Sequence, residues 1–291
     1  MDKLLNWSLA HQLGDKDAIA KVGDAPDPKL LNQLFGGPDE PGLMKQLMAV
    51  VSNPEATEEA KVTALENFEM LIENLDNANA IGQMGFWPVI NGQMDPAIPE
   101  ERRVLAASIV GIATQNNPQS QQAFHDLEGL GSLVVMATDK LSSACQLKAL
   151  FAITLYIRHF EPGYKQFAEA NGWQLLATTN ITDKKVMLRT LSLVSAILST
   201  GLDLTKLDLL HKAKVVDLLT AVLQDLTEGG AAHAGCVDKA LVIIGQLADN
   251  GFEFTLPEIN ELLRGIEAVD SRQDISEDDL NAAKAALNNR K

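Results

Sequence analysis

The stretch that decides the fold runs from residue 64 to residue 90 and has the sequence ALENFEMLIENLDNANAIGQMGFWPVI. Apolar residues recur three and four positions apart along its first half, at Leu65, Phe68, Leu71, Ile72 and Leu75. This spacing places them on one face of an α-helix, and the glutamates between them fall on the opposite face. Gly85 follows a short polar link and precedes a second apolar run, so the stretch predicts one helix ending and another beginning.

The composition favours helices and an anionic surface. Of the 291 residues, 46% are hydrophobic but only 5% are aromatic, and leucine and alanine dominate, which favours helices over β-sandwiches and barrels. The net charge of −15 and the pI near 4.7 disfavour binding to nucleic acid or to anionic membranes. We therefore expect no nucleic-acid or membrane partner, and a preference for proteins that carry basic patches.

Cysteine usage and hydropathy indicate the compartment. Cys145 and Cys236 lie within apolar helical patterns, and we expect both to be buried core residues that form no disulfide. The N-terminal residues MDKLLNWSLAH have no apolar core typical of a signal peptide. Runs long enough to span a bilayer, about 18 apolar residues, do not occur. The sequence predicts a cytoplasmic protein.

Residues 1–40 differ from the rest of the chain. Leu4, Leu5 and Trp7 are predicted to be the apolar residues of a short amphipathic helix. The segment GGPDEPG at 36–42 has the glycine and proline content of a linker. We expect a flexible N-terminal segment that contains one short helix.

From Gly42 onward the sequence repeats at nearly constant intervals. Apolar helical runs begin at intervals of 43, 44, 43 and then about 42 residues, at Gly42, Gly85, Gly129, Gly172 and Ala213. Each opening is followed by a polar break and then by a longer helix, predicted at 58–75, 100–116, 143–159, 184–200 and 236–249. A short third helical element follows each of the first four long helices.

Repeats of this length, with two or three helices each, are typical of armadillo and HEAT proteins, whose units bury their apolar faces only by stacking. The sequence predicts an all-α fold, an armadillo-like right-handed superhelical solenoid over residues 41–270, with the long helices lining a concave face. The polar segment 271–291 is predicted to form a C-terminal capping helix. The repeated glycines are predicted to adopt the left-handed conformation that the turns need.

Motifs of known enzyme classes are not found. The sequence has no nucleophile elbow, phosphate-binding loop, zinc-binding HExxH or dinucleotide fingerprint. His233 and Cys236 are three residues apart, but no further histidine or cysteine is near enough in sequence to complete a metal site. We expect a binding protein without catalytic residues, metal or cofactor.

The candidate binding residues are polar or small residues near the C-terminal ends of the long helices. They are Glu69, Glu73, Asn74, Asn77, Ala78, Gln115, Asn116, Arg158 and Arg189. Arg158 and Arg189 each lie in an otherwise apolar helix. Such an arginine extends its guanidinium group to solvent, pairs with an acid of the next repeat, or is an exposed anchor for a partner's carboxylate. The tryptophan–asparagine ladder of peptide-binding armadillo grooves is absent from the long helices.

Three segments resemble a known family. They are MDKLLNWSLA at the N-terminus, PDPKLLNQLFGGPDEP at 26–41 and, most specifically, NFEMLIENLDNAN at 67–79. These segments are similar to fungal members of the heat-shock-protein-70-binding-protein family, the armadillo-type nucleotide exchange factors of that chaperone. The resemblance extends from residue 1 to about residue 200 and weakens beyond it.

The resemblance implies a function that the composition does not. Family members hold lobe II of the nucleotide-binding domain of a cytosolic heat-shock-protein-70 chaperone in the concave groove, which releases ADP and so aids substrate release and protein folding. Ala78 and Arg189 correspond to the family's interface. The segment with Leu4, Leu5 and Trp7 corresponds to the part that helps to clear substrate.

Two points stay open at this stage. A generic armadillo adaptor, which binds peptides or assembles protein complexes without affecting nucleotide exchange, is the alternative function. The segment GGAAHAG at 229–235 is predicted to be a flexible insertion, which leaves the groove contacts of the last repeat undefined. We expect the protein to be a monomer.

Overall fold

The structure is a computed structural model that describes residues 39–139, 142–176, 183–225 and 230–290. Within these ranges it contains fifteen α-helices, one 3₁₀ helix and no strand. The chain divides into two units between Lys45 and Gln46, and the following description concerns the second unit. The predicted N-terminal helix with Leu4, Leu5 and Trp7 lies outside the described residues.

The helices follow one another in a repeating order of two short helices and then one long helix. They are α1 (Glu40–Ser52), α2 (Glu58–Leu71), α3 (Leu75–Gln83), α4 (Trp87–Gly92), α5 (Glu100–Thr114), α6 (Pro118–Asp126), α7 (Leu130–Ala137), α8 (Ser143–Ile157), α9 (Glu161–Glu169), the 3₁₀ helix Gly172–Leu176, α10 (Lys184–Leu198), α11 (Leu204–Lys212), α12 (Val215–Gln224), α13 (Gly230–Asp249), α14 (Leu256–Val269) and α15 (Glu277–Asn288).

The long helices form a continuous layer, which confirms the predicted repeat architecture. Helices α2, α5, α8, α10, α13 and α15 each pack against the next member in chain order. The short helices α3, α6 and α9 pack on one another in the same order. Leucine, isoleucine, valine and alanine side chains fill the space between the helices, as stacked repeats require.

Helix α13 differs from its prediction at the N-terminal end. It begins at Gly230, six residues before the predicted start, so most of the segment predicted as a flexible insertion is helical. Cys236 lies on this helix, as its apolar pattern predicts, and the residue is 1% exposed. Cys145 is also buried, and both cysteines are free.

Side-chain caps set most of the helix starts. The side chains of Thr57, Asn74, Asn117, Ser142, Asp183 and Asp203 accept hydrogen bonds from backbone N–H groups in the first turns of their helices. Thr255 and Glu258 form a complete capping box at the start of α14. Such caps satisfy donors that the helix leaves free and stop the preceding segment from joining the helix.

The turns before the second short helix of each repeat adopt the left-handed conformation, but mostly without glycine. Gly85, Glu128, Asn171 and Lys214 have φ angles of 69°, 58°, 58° and 53° and follow one another at intervals of 43 residues. The prediction that glycine supplies this conformation is confirmed only at Gly85. Gly129 has a φ angle of −71°, so the left-handed residue there is its predecessor.

The repeat glycines Gly129 and Gly172 are needed for close packing rather than for a left-handed backbone. A Cβ atom at Gly129 would lie 2.6 Å from the ring of Phe124, and one at Gly172 would lie 2.2 Å from the ring of Phe167. These distances are shorter than any tolerable contact, so each glycine lets an aromatic ring of the preceding short helix lie against the turn.

Replacing a left-handed residue by glycine is expected to stabilise the protein. A side chain in this conformation costs about 1–2 kcal/mol, and the entropy that glycine adds to the unfolded chain offsets part of the gain. We expect Glu128→Gly to raise the free energy of unfolding by about 0.5–1 kcal/mol, measured by urea denaturation. The matched control Gly85→Ala should lower it by about 1 kcal/mol. A loss of stability in Glu128→Gly would contradict the assignment of strain to this turn.

Within the described residues, no helix is both long and apolar enough to cross a membrane.

Candidate partner-binding surface

Four of the predicted binding residues line one pocket, which we call the N-terminal pocket. It has a volume of about 430 Å³ and lies between the C-terminal ends of α2 and α5 and the start of α3. Its lining residues are Ile72, Glu73, Leu75, Ala78, Ile112, Ala113, Gln115, Asn116 and Asn117. The structure therefore brings Glu73, Ala78, Gln115 and Asn116 together, and their role in binding a partner stays a prediction.

The local backbone explains how these side chains become accessible. Helix α5 ends at Thr114, and Asn116 then turns the chain in the left-handed conformation with a φ angle of 51°. Gln115 and Asn116 are exposed on this turn, opposite the exposed Glu73. Ala78 is 3% exposed, and its carbonyl oxygen accepts a hydrogen bond from Ser120 Oγ at 3.2 Å. Ala78 is thus a small residue at a helix contact on the floor of the pocket.

The other predicted residues on α2 and α3 are placed differently. The Asn77 side chain is buried, and its Nδ2 donates to the carbonyl oxygen of Leu71 at 2.9 Å. It closes the turn between two helices, so its burial does not support a partner contact. Asn74 is exposed but caps α3 by accepting from the N–H group of Asp76. Glu69 is half-buried on α2 and lines neither of the two pockets described here.

A second pocket, which we call the basic pocket, lies across the long-helix layer. It has a volume of about 580 Å³ and is formed by α5, α8, α10 and α13. Its lining residues are Val104, Ala144, Leu147, Lys148, Lys185, Leu188, Arg189, Ser192 and Lys239. Of the predicted residues only Arg189 lines it, so the structure places Ala78 and Arg189 in separate pockets that share α5 as a wall.

Sequence reasoning missed three of the four cations in the basic pocket. Lys148, Lys185 and Lys239 are on exposed or half-buried helix positions that resemble ordinary solvated lysines. One signal was available: Lys148 and Arg189 each occupy the sixth position of their long helix. Equivalent positions of stacked repeats lie side by side, so this coincidence predicts that the two charges are neighbours.

An aromatic ring lies between two of these cations. The Arg189 guanidinium carbon is 5.0 Å from the centroid of the Phe151 ring, and Lys148 Nζ is 5.6 Å from it. Lys148 Nζ also donates to Ser108 Oγ at 2.8 Å. Across the described ranges, none of the four cations forms an ion pair with a carboxylate. The described ion pairs thus give no support to an intramolecular pair for Arg189, and its role as an anchor for a partner stays a prediction.

Burial and like charge shift the titration of this cationic region. Partial burial lowers the pKa of Arg158 and of Arg189. Burial also lowers the pKa of Lys239, the nearby Arg158 guanidinium lowers it further, and Asp279 opposes both effects. Arg158 is therefore electrostatically linked to the basic pocket through Lys239. A bound anion would raise these pKa values and would relieve the repulsion.

Arg158 also has a structural role. It ends α8, and its carbonyl oxygen accepts a hydrogen bond from Gln121 Nε2 at 3.0 Å. The same amide nitrogen donates to the Tyr156 carbonyl oxygen at 3.0 Å. Gln121 thus holds the end of the long helix against α6, which fixes where the Arg158 side chain begins.

The described residues contain no group of three histidine, cysteine, aspartate or glutamate side chains arranged to hold a metal ion. The chemistry that the two pockets offer is the binding of a protein or ligand surface: one neutral to acidic pocket with a small-residue floor, and one pocket lined by cations and apolar side chains.

These features define an armadillo-type repeat protein with two pockets on its layer of long helices. A designed armadillo repeat protein in complex with the peptide (KR)4 superposes with a TM-score of 0.69 at 17% identity, over 85% of this chain and 99% of that one. The armadillo-repeats-only protein of Plasmodium falciparum superposes with a TM-score of 0.56 at 12% identity, over 77% and 98%. These likenesses confirm the fold.

The chain belongs to the family of the Hsp70 nucleotide exchange factor FES1. The family described as nucleotide exchange factor Fes1 matches residues 1–81, and the SIL1/FES1/HPBP1 C-terminal domain matches residues 77–212. The proteins of that name from Scheffersomyces stipitis and Debaryomyces hansenii are each 49% identical to it, over 98% and 99% of this chain and 99% and 100% of their own. The Saccharomyces cerevisiae protein is 38% identical, over 99% of this chain and 100% of its own.

Proposed function

We propose that this protein is a nucleotide exchange factor and co-chaperone that accelerates the release of ADP from a cytoplasmic Hsp70 chaperone. The observation that carries the proposal is 49% identity, over nearly the whole length of both chains, to proteins with this name. The two pockets on the long-helix layer support it, because they offer a surface for a large protein partner. The factor itself needs no cofactor for this role.

The mechanism that we propose is differential binding. The long-helix layer holds lobe II of the nucleotide-binding domain in its open arrangement and excludes the closed, ADP-bound arrangement. An effector shifts an equilibrium only by the difference between its affinities for the two states. ADP and the exchange protein therefore weaken each other's binding to the chaperone by the same ratio. This mutual weakening is what drives ADP release.

The described residues divide this task between the two pockets. The cations of the basic pocket pair with carboxylates on the chaperone lobe, and Arg189 is the anchor among them. Ala78 allows a close approach at the N-terminal pocket, where Glu73, Gln115 and Asn116 supply polar contacts. The N-terminal segment, with Leu4, Leu5 and Trp7, assists the release of substrate from the chaperone. The factor acts as a monomer in the cytoplasm.

The test is stopped-flow release of a fluorescent ADP analogue from a cytoplasmic Hsp70, with and without the protein. We expect the release rate to rise with the concentration of the factor and to saturate at least tenfold above the basal rate. A detectable complex without acceleration would contradict exchange and would leave the generic armadillo adaptor. An unrelated armadillo repeat protein of similar net charge is the control for non-specific effects.

A further inference from the structure

The basic pocket concentrates positive charge in a protein whose net charge is negative. In a chain with a net charge of −15, four cations converge from three neighbouring helices onto one pocket. Lys148 and Arg189 are neighbours across the Phe151 ring, and Lys185 and Lys239 complete the set. Partial burial disfavours the charged forms of Arg189 and Lys239, although Asp279 opposes this effect at Lys239, so an anion bound among these cations would offset part of the cost.

The shape of the pocket suits a small ligand as well as a protein surface. Its volume of about 580 Å³ lies within the range of small-molecule sites. Val104, Leu147 and Leu188 give it an apolar strip beside the cations, and each of them is half-buried. Arginine and lysine are the side chains that bind phosphate oxygens most effectively.

We propose that the basic pocket is a binding site for polyphosphate anions, with nucleoside triphosphates and inorganic polyphosphate as the two sources of this chemistry. The phosphate chain lies among Lys185, Arg189 and Lys239. When the source is a nucleotide, its base lies on the apolar strip. Binding of this kind needs no chaperone. The consequence for regulation, that free polyphosphate competes with the chaperone for the same cations, rests on the proposed function.

The experiment measures binding directly, with the full chain and no chaperone present. A fluorescent ATP labelled on the base is titrated with the protein at low ionic strength, and its anisotropy gives the dissociation constant. Tripolyphosphate, unlabelled ATP, AMP and adenosine then compete for the site. We expect tripolyphosphate and ATP to displace the probe, AMP to be at least tenfold weaker, and adenosine to be inactive. Equal displacement by adenosine and ATP would overturn the proposal.

Charge reversal locates the site. We expect Lys185→Glu with Lys239→Glu to weaken probe binding by at least tenfold, because each removes a cation from the pocket. The matched control is Lys165→Glu, an exposed lysine of α9 that lines a different pocket, and it should change binding less than twofold. Unchanged binding in the double variant, or an equal loss in the control, would overturn the proposal.

The two sources are distinguished by their relative affinities. Equal affinity of tripolyphosphate and ATP shows that the phosphate chain alone is recognised. Tighter binding of ATP shows that the apolar strip contacts the base, and Leu188→Asp should then reduce the advantage of ATP over tripolyphosphate. Failure of these experiments leaves the exchange assay unaffected, since that assay contains a chaperone and measures release of ADP from it.

Discussion

The double variant Arg189→Glu, Ala78→Arg is expected to lose binding to Hsp70 and with it the acceleration of ADP release. Arg189→Glu turns the anchor of the basic pocket into a charge that repels the partner's carboxylates. Ala78→Arg puts a long side chain into a pocket of about 430 Å³ that the partner must approach closely. Each change at a central contact costs about 2 kcal/mol or more, which is roughly 30-fold in the dissociation constant.

The two changes lie in separate pockets, so their effects should add. We expect about a 1,000-fold loss of affinity for the double variant, measured by calorimetric titration against the nucleotide-binding domain. Ala78 is 3% exposed, so the substitution is checked by circular dichroism and thermal unfolding. Gln115→Arg is a second variant that fills the same pocket from an exposed position. A folded variant of either kind that binds as tightly as the parent refutes the role of the N-terminal pocket.

Among the substitutions predicted here, Phe124→Ala is expected to lower the free energy of unfolding most. The Phe124 ring is fully buried and lies 5.3 Å from the Trp87 ring and 5.1 Å from the Tyr156 ring, so it joins α6 to the helices on either side. Removing a buried aromatic side chain costs about 3–5 kcal/mol through lost burial and the cavity that remains. In a repeat protein the cost falls on one interface between neighbours, so the two sides should unfold less cooperatively.

The measurement is thermal and urea unfolding followed by circular dichroism and by tryptophan fluorescence, which reports on Trp87 and Trp173 together with Trp7. We expect the midpoint to fall by about 10 °C and the two signals to separate. Val135→Ala in the adjacent helix is the control, because Val135 is 57% exposed and should change stability by less than about 0.5 kcal/mol. A loss below about 1 kcal/mol in Phe124→Ala would show that the neighbouring rings close the cavity.

The sequence predicts most of the fold because the signals are local and repeated. Apolar residues three and four apart define each long helix, and polar breaks define its ends, so α5, α8 and α10 end within two residues of their predicted C-termini. The turn at Glu128 could not be predicted in this way. Glu128 adopts the left-handed conformation because the packed helices on both sides hold it there. The sequence instead predicts this conformation for the neighbouring Gly129, because glycine adopts it most easily.

Residues of the candidate binding surface could be predicted only where a charged residue stands in an otherwise apolar helix. Arg189 was identified because a charge in an apolar helix is unusual. Lys185 and Lys239 were not, since a lysine on a helix surface is ordinary and only stacking brings several into one pocket. Asn77 was assigned to the surface, but its side chain satisfies the Leu71 carbonyl group inside the turn, and no periodicity reports such a hydrogen bond.

The left-handed turns have a consequence for how such a scaffold can diversify. At intervals of 43 residues the same backbone conformation is adopted by a glycine, a glutamate, an asparagine and a lysine. The spacing of the stacked helices thus depends on the positive φ angle at each turn and not on which side chain the turn residue has. Each turn is free to acquire a new charge or polarity without altering the spacing of the helices. A lineage of such proteins can therefore change which molecules it attracts along this edge while its architecture is inherited unchanged.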